Sequence, residues 1–147
     1  MNSRLPFLAA PSATLLGIDT AGELARSPFR GALFEGFIAA EMAKAQVNAG
    51  GRRELYYFRD QQGLEVDFLV PGRGGAVILV ECKAGRTVTP AMAAPMQRLA
   101  EALKRKRARA AGMRMFLVHQ SPQAGTRTPA VAPGVRALPW QAFLEEL

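Results

Sequence analysis

The chain has 147 residues, enough for one domain with its own apolar core and no need of disulfide or metal staples. Hydrophobic residues are 49% and charged residues 21%, which excludes wholesale disorder, and the lone Cys82 and lone His119 exclude an internal disulfide and a His/Cys zinc cluster. The net charge is +7, and all of it lies in residues 76–147 (11 basic, 4 acidic), because residues 1–75 balance at 8 and 8.

In chain order, residues 1–30 are mixed and punctuated by proline. The basic start and the apolar stretch from Leu5 to Ile18 have the outline of a signal peptide. Pro6 and Pro11 interrupt it and no small-x-small cleavage site follows, so the expectation is a cytoplasmic protein. No run reaches the roughly 18 apolar residues that a membrane span needs. Residues 15–24 suggest a short helix, broken at Ser27-Pro28. Leu33, Phe34, Phe37, Ile38, Met42 and Ala45 then recur at helical spacing and predict a helix over residues 31–49. Glu41 falls on its apolar side and Glu35 on the edge of that side.

Three strands are predicted next. Residues 55–59 are aromatic-rich, and Asp60-Gln-Gln-Gly63 is a hairpin signal. Residues 64–70 form the second strand. Pro71 to Gly75 turn the chain, and residues 76–84 form an apolar, β-branched third strand of the kind buried on both faces. Strict alternation places Glu65, Asp67 and Leu69 on one face of the second strand, and Val77, Leu79, Glu81 and Lys83 on one face of the third. A helix opens at Thr89-Pro90 or at Ala94-Pro95, with Met92, Met96, Leu99, Leu103 and Ala110 as its apolar stripe. Residues 113–119 read as a fourth strand, a Pro/Gly/Thr-rich loop runs to Gly134, residues 135–138 as an edge strand, and residues 139–147 as a short amphipathic helix. The order α-β-β-β-α-β implies a mixed α/β (α+β) fold, a central mixed sheet flanked by helices.

The chemistry lies in ions placed on half-buried strands. Each costs several kcal/mol unless it is paired or binds a metal, on the order of magnitude general for such groups. Asp67 and Glu81 would repel across a hairpin, and Mg²⁺ or Mn²⁺ between them would remove that cost. Lys83, two residues beyond Glu81, could orient a metal-bound water and stabilise an anionic transition state, and Glu35 could complete the site. The bland alternative is a buried ion network in which Lys83 neutralises the acids. Glu65 is expected to face solvent or pair with Arg59, and Glu41 to pair with Arg59 or Lys83. Cys82 reads as an inert buried thiol and His119 as a structural residue.

Asp67, thirteen residues, then Glu81-Cys82-Lys83 resembles the PD-(D/E)XK nuclease signature, with Glu35 matching that superfamily's first acidic position. The wider text from about residue 15 onward resembles the C-terminal nuclease-like domain of a family of bacterial and archaeal AAA-type ATPases. It includes Gly-Ala-Leu-Phe-Glu-Gly-Phe-Ile at 31–38, Leu-Tyr-Tyr-Phe-Arg-Asp at 55–60, Gly-Leu-Glu-Val-Asp-Phe at 63–68 and Val-Glu-Cys-Lys-Ala-Gly at 80–85. That resemblance implies a restriction-endonuclease-like αβββαβ core over residues 31–147, with residues 1–30 as the remnant of a linker. It implies Asp67, Glu81 and Glu35 as the ligands of Mg²⁺ or Mn²⁺, and Lys83 and Glu35 as the catalytic pair. Two features depart from it. Val66 stands where the signature has Pro, and the sequence holds no phosphate-binding loop of the ATPase kind.

The charge excess suits a polyanion. Residues 98–114 carry seven basic side chains against Glu101. Arg98, Arg105 and Arg109 fall in a narrow arc of the helix, a row about 16 Å long at about 1.5 Å per residue, flanked by Lys104. These four are the expected nucleic-acid contacts, and DNA the expected partner. Against an enzyme stands an inert module of the same fold that binds nucleic acid, a separate ATPase or a second copy of itself as a homodimer. A third reading is a fragment with apolar surface exposed at Phe7, Leu8, Leu15 and Leu16.

Overall fold

The computed structural model describes residues 10–106, 112–120 and 130–147. It holds α1 (Ala10–Leu15), α2 (Ala21–Arg26), α3 (Arg30–Asn48), β1 (Tyr56–Arg59), β2 (Glu65–Pro71), β3 (Val77–Lys83), α4 (Ala94–Lys106), β4 (Met113–His119), β5 (Ala130–Ala132), β6 (Val135–Pro139) and α5 (Trp140–Leu144). The described strands form one sheet in the order β1-β2-β3-β4-β6-β5. β1–β2–β3 is an antiparallel meander, β3–β4 and β4–β6 are parallel, and β5 closes back antiparallel on β6. The fold is therefore mixed α/β, a mixed sheet flanked by helices, as the pattern of periodicities predicts.

β3 is central and buried along its length, because Val, Ile and Leu occupy both of its faces. One face carries Ile78, Val80, Cys82, Phe116 and Val118 against Phe34, Phe37, Ile38 and Met42 of α3 and Phe143 of α5. The other carries Leu79, Met115, Leu117, Val135 and Ala137 against Ala93, just before α4, and Met96, Leu99 and Ala100 within it. Ala13, Ile18 and Leu33, with Leu24 beside them, form a smaller cluster that packs the first two helices onto α3. The meander's turn is built as expected. Gly63 adopts φ 82°, and the Asp60 carboxylate accepts from the N–H groups of Gln62 and Leu64, both at 2.8 Å.

Several expectations change. The helix expected over residues 15–24 is two helices, since the chain turns at Gly17 (φ 67°) and restarts at a capping box. Thr20 Oγ accepts from Glu23 N–H at 3.2 Å, and the Glu23 carboxylate accepts from Thr20 N–H at 2.9 Å. Both candidate starts of the second large helix are used. Pro90 opens a short 3₁₀ turn, Pro90–Ala93, and α4 begins directly after it at Ala94. β6 is not an edge strand, because β5, hidden in a stretch that reads as loop, pairs outside it. Leu69 does not share a face with Asp67. Between Tyr56 and Phe58 the β1–β2 register shifts, so that Asp67 and Phe68 together oppose Tyr57. Val66 and Leu69 consequently join one cluster and Phe68 the other, which strict alternation forbids.

Ala110, Phe7 and Leu8 lie outside the described residues, whereas Leu15 is 88% exposed. Phe143 is fully buried, with its ring 5.5 Å from that of Phe116 in an edge arrangement. Phe143→Ala should lower unfolding free energy by about 3–5 kcal/mol in a denaturant titration, through the cavity it leaves. Leu15→Ser should stay within about 0.5 kcal/mol of the parent. Equal effects from the two would contradict this packing.

Candidate functional site

The site forms where the β2–β3 ladder ends. Pairing runs from Pro71↔Val77 to Phe68↔Val80 and stops there. One residue further on, Asp67 sits in the bulge, and its Oδ2 accepts from the backbone N–H of Cys82 at 2.7 Å. A side chain thus takes the place of a ladder carbonyl, and the strands part at the level of Glu81. Glu81 is 7% exposed, in a stretch otherwise made of apolar residues. Its Oε1 accepts from Lys83 Nζ at 2.7 Å, while its Oε2 is buried with no hydrogen-bond partner among the described residues. An unmatched buried carboxylate oxygen costs about 1–3 kcal/mol or more.

Glu35 enters from α3. Its position two residues before Phe37 and one after Phe34, both buried, leaves it half-buried at the rim of the apolar face. Burial raises its proton affinity above the ordinary glutamate value, the Asp67 carboxylate raises it further, and Lys83 opposes both. Burial likewise raises Asp67, with the Cys82 N–H and Lys83 pulling back, and raises Glu81 against the Lys83 hydrogen bond. Burial alone would lower Lys83. The Glu81 hydrogen bond and the charges of Glu81, Asp67 and Glu35 outweigh it, so the ammonium is held above its usual range. The structure thus brings Glu35, Asp67, Glu81 and Lys83 into one electrostatic cluster of three acids and one base. Among the described residues, no three acidic, imidazole or thiol side chains are placed to hold a metal ion by themselves.

The neighbouring residues sort differently. Glu65 pairs loosely with Arg59 at 4.0 Å, as expected. Glu41 pairs with Lys44 one turn along its own helix, not with Arg59 or Lys83, because side chains three apart on a helix are neighbours. Cys82 is 4% exposed, and burial pushes its thiol well above the ordinary value. Gln97 donates to the Pro133 carbonyl at 3.0 Å and ties α4 to the β5–β6 turn. Arg30 donates to the carbonyl of Ala84 and clamps the start of α3 to the end of β3.

Of the expected nucleic-acid contacts, Arg98, Lys104 and Arg105 are exposed on α4 and enter none of the ion pairs among the described residues. Arg109, with Arg107, lies outside those residues. Arg114, part of the same basic run, is held structurally. It pairs with Glu146, which also takes Arg136 at 2.8 Å, and both guanidinium groups stand over the Phe116 ring.

The sequence reads His119 as a structural residue. His119 is 6% exposed and lies in register with Lys83 across the parallel β3–β4 ladder. Burial holds its pKa below the ordinary histidine value, and the Gln120 backbone pulls the other way. Neither Nδ1 nor Nε2 has a partner among the described residues. The apolar run leading to His119 gives no sign of this.

The fold and site define a mixed α/β domain with a buried carboxylate–lysine cluster at the open end of its central hairpin. Residues 30–133 match the model of a family described as a domain of unknown function, DUF4143, and the chain belongs to that family. Comparison with the curated proteins and with the solved structures gives no match. Among the described residues, no helix is long and apolar enough to cross a membrane.

The raised proton affinity of Asp67 makes a signed prediction. The folded state binds this proton more tightly than the unfolded chain, whose value is near 3.8. Asp67 therefore costs stability as pH rises from 3.8 through its raised folded value. With chelator present, Asp67→Asn should gain stability relative to the parent across that window and hold a constant difference above it. A difference that does not change with pH would show that Asp67 ionises freely.

Proposed function

We propose that this chain is a metal-dependent phosphodiesterase of the PD-(D/E)XK type, with a restriction-endonuclease-like core, acting on DNA. The observation that carries this reading is the Glu81 carboxylate, buried at the end of the central strand with one oxygen on Lys83 and the other unpartnered. A fold that retains this arrangement gains from a cation. The donors present fit Mg²⁺ or Mn²⁺, which take hard oxygen ligands and keep several waters. Asp67 and Glu81 would hold the ion with support from Glu35, and water and phosphate oxygens would complete its shell. When bound, such an ion supplies Lewis acidity and a water of lowered pKa.

The protein's own groups do the rest. Lys83 keeps its proton because Glu81 and the other acids favour the charged form, so it presents a fixed positive charge where a phosphate gains negative charge. Glu35, whose proton affinity is raised, can hold a proton near that charge. Arg98, Lys104 and Arg105 offer a basic helix face along which a phosphate backbone can lie. Purified protein with Mg²⁺ or Mn²⁺ should nick plasmid or degrade single-stranded DNA, and Asp67→Ala and Lys83→Ala should each lose at least about 100-fold. Equal activity in the parent and both variants rules the mechanism out.

The Lys83–Glu81 pair also favours a second reading, a catalytically inert module for nucleic acid or protein, such as a separate ATPase or a second copy. In that case the ammonium is the counter-ion and no metal is needed. Calorimetry with Mn²⁺ decides between them. A binding isotherm that Glu81→Ala abolishes supports the phosphodiesterase, and no heat from the parent supports the module.

A further inference from the structure

β1 is an end strand of the sheet, and it carries the chain's two tyrosines side by side, each 56% exposed. Alternation along a strand sends them to opposite faces. Tyr56 goes with Phe58, which packs into the cluster that includes α4, and Tyr57 goes with Leu55, which packs into the cluster that includes α3. Tyr57 is thus on the face from which Glu35 enters, and across the β1–β2 ladder it opposes Asp67 at the bulge. Desolvation and the Glu65 carboxylate raise the proton affinity of its phenol and Arg59 lowers it, so these three side chains meet at one corner. That corner adjoins the acids, because the Glu65 charge also acts on Asp67 and Glu35. The Arg59 side chain is 65% exposed and its pair with Glu65 is loose at 4.0 Å, which leaves the guanidinium able to turn to another anion.

A single exposed aromatic side chain needs no explanation. Here an open ring and an open guanidinium together flank the carboxylates at which a phosphate would be handled. Aromatic stacking beside basic side chains is how proteins hold single strands, and a base inside a duplex is already stacked on both sides. We propose that Tyr57 is a substrate-binding residue whose ring stacks on the base of a nucleotide next to the phosphate at Asp67, with Arg59 on an adjoining backbone phosphate, so that the DNA is unpaired at this point. This inference rests on the phosphodiesterase reading for the position of the phosphate, but not on hydrolysis.

Tyr56 is the matched control, the same residue at the same exposure on the other face. Because the chain has only two tyrosines, 3-fluorotyrosine labelling gives two ¹⁹F signals, which Tyr56→Phe assigns. Titration with a short phosphorothioate single strand, which resists cleavage, in the presence of Mg²⁺ should move the Tyr57 signal saturably and leave that of Tyr56 in place. Tyr57→Ala should bind that strand about tenfold more weakly, whereas Tyr57→Phe and Tyr56→Ala should bind it as the parent does. A duplex of the same sequence should not distinguish Tyr57→Ala from the parent. A Tyr57 signal that stays fixed at saturating DNA overturns the proposal, as does an equal loss of binding in Tyr56→Ala and Tyr57→Ala. The fluorine readout stands even if an alanine variant fails to fold. Cleavage of unmodified DNA by the parent with a fixed Tyr57 signal sinks the stacking role and leaves the phosphodiesterase. A shifted signal without cleavage keeps Tyr57 as a binding residue and sinks hydrolysis. Neither signal nor cleavage sinks both.

Discussion

Everything at this site depends on one costly placement, a carboxylate at the end of the strand that the rest of the protein packs against. Glu81 follows Ile78, Leu79 and Val80, all buried, on a strand with neighbours on both sides. Removing a carboxylate from water is unfavourable by several kcal/mol in general order of magnitude, and a single ammonium at 2.7 Å offsets only part of that. The surrounding geometry reduces the remainder. The bulge at Asp67 ends the ladder, and the Lys83 side chain beside Glu81 stays 34% exposed.

The same interruption sets the division of labour between the two halves of the sequence. The neutral first half supplies Glu35 and Asp67, and the basic second half supplies Glu81, Lys83 and the exposed face of α4. The parallel pairing of β3 with β4, and of β4 with β6, brings strand ends together at one end of the sheet. Lys83, His119 and Pro139 are therefore neighbours although 56 residues separate the first from the last. The excess positive charge is not all of one kind. Arg114 and Arg136 are tied to Glu146 and Phe116, whereas Arg98, Lys104 and Arg105 remain available.

Much of this was legible from spacing alone. The helical recurrence of Leu33, Phe34, Phe37, Ile38 and Met42 and the β-branched run ending at Glu81 fix α3 and β3, because burial imposes those periods directly. The aspartate, glutamate and lysine of the cluster were legible because ions in apolar runs are expensive. What stayed hidden has a common cause. An extra residue in a strand leaves no mark in composition, so the bulge that redirects Asp67 and returns Leu69 to the other face could not be read. β5 is Ala-Val-Ala in a Pro/Gly/Thr-rich stretch and carries too little side chain to signal pairing. That the His119 ring nitrogens lack partners among the described residues is a matter of what does not touch them, and no local pattern encodes that. The Thr20–Glu23 box was visible in the sequence and would have divided the first helix correctly.

Cys82 sits at the centre of the seam, its N–H held by Asp67 and its thiol sealed beneath α3. A thiol reagent can reach it only when the end of β2 lifts away from β3 or α3 moves off the sheet. The chain's single sulfhydryl is thus a clock. In the limit of fast reclosing, its alkylation rate divided by that of a free thiol measures how often this corner of the molecule opens. Any ligand that bridges Asp67 and Glu81 would slow that clock, so occupancy could be timed without a substrate, a product or a turnover.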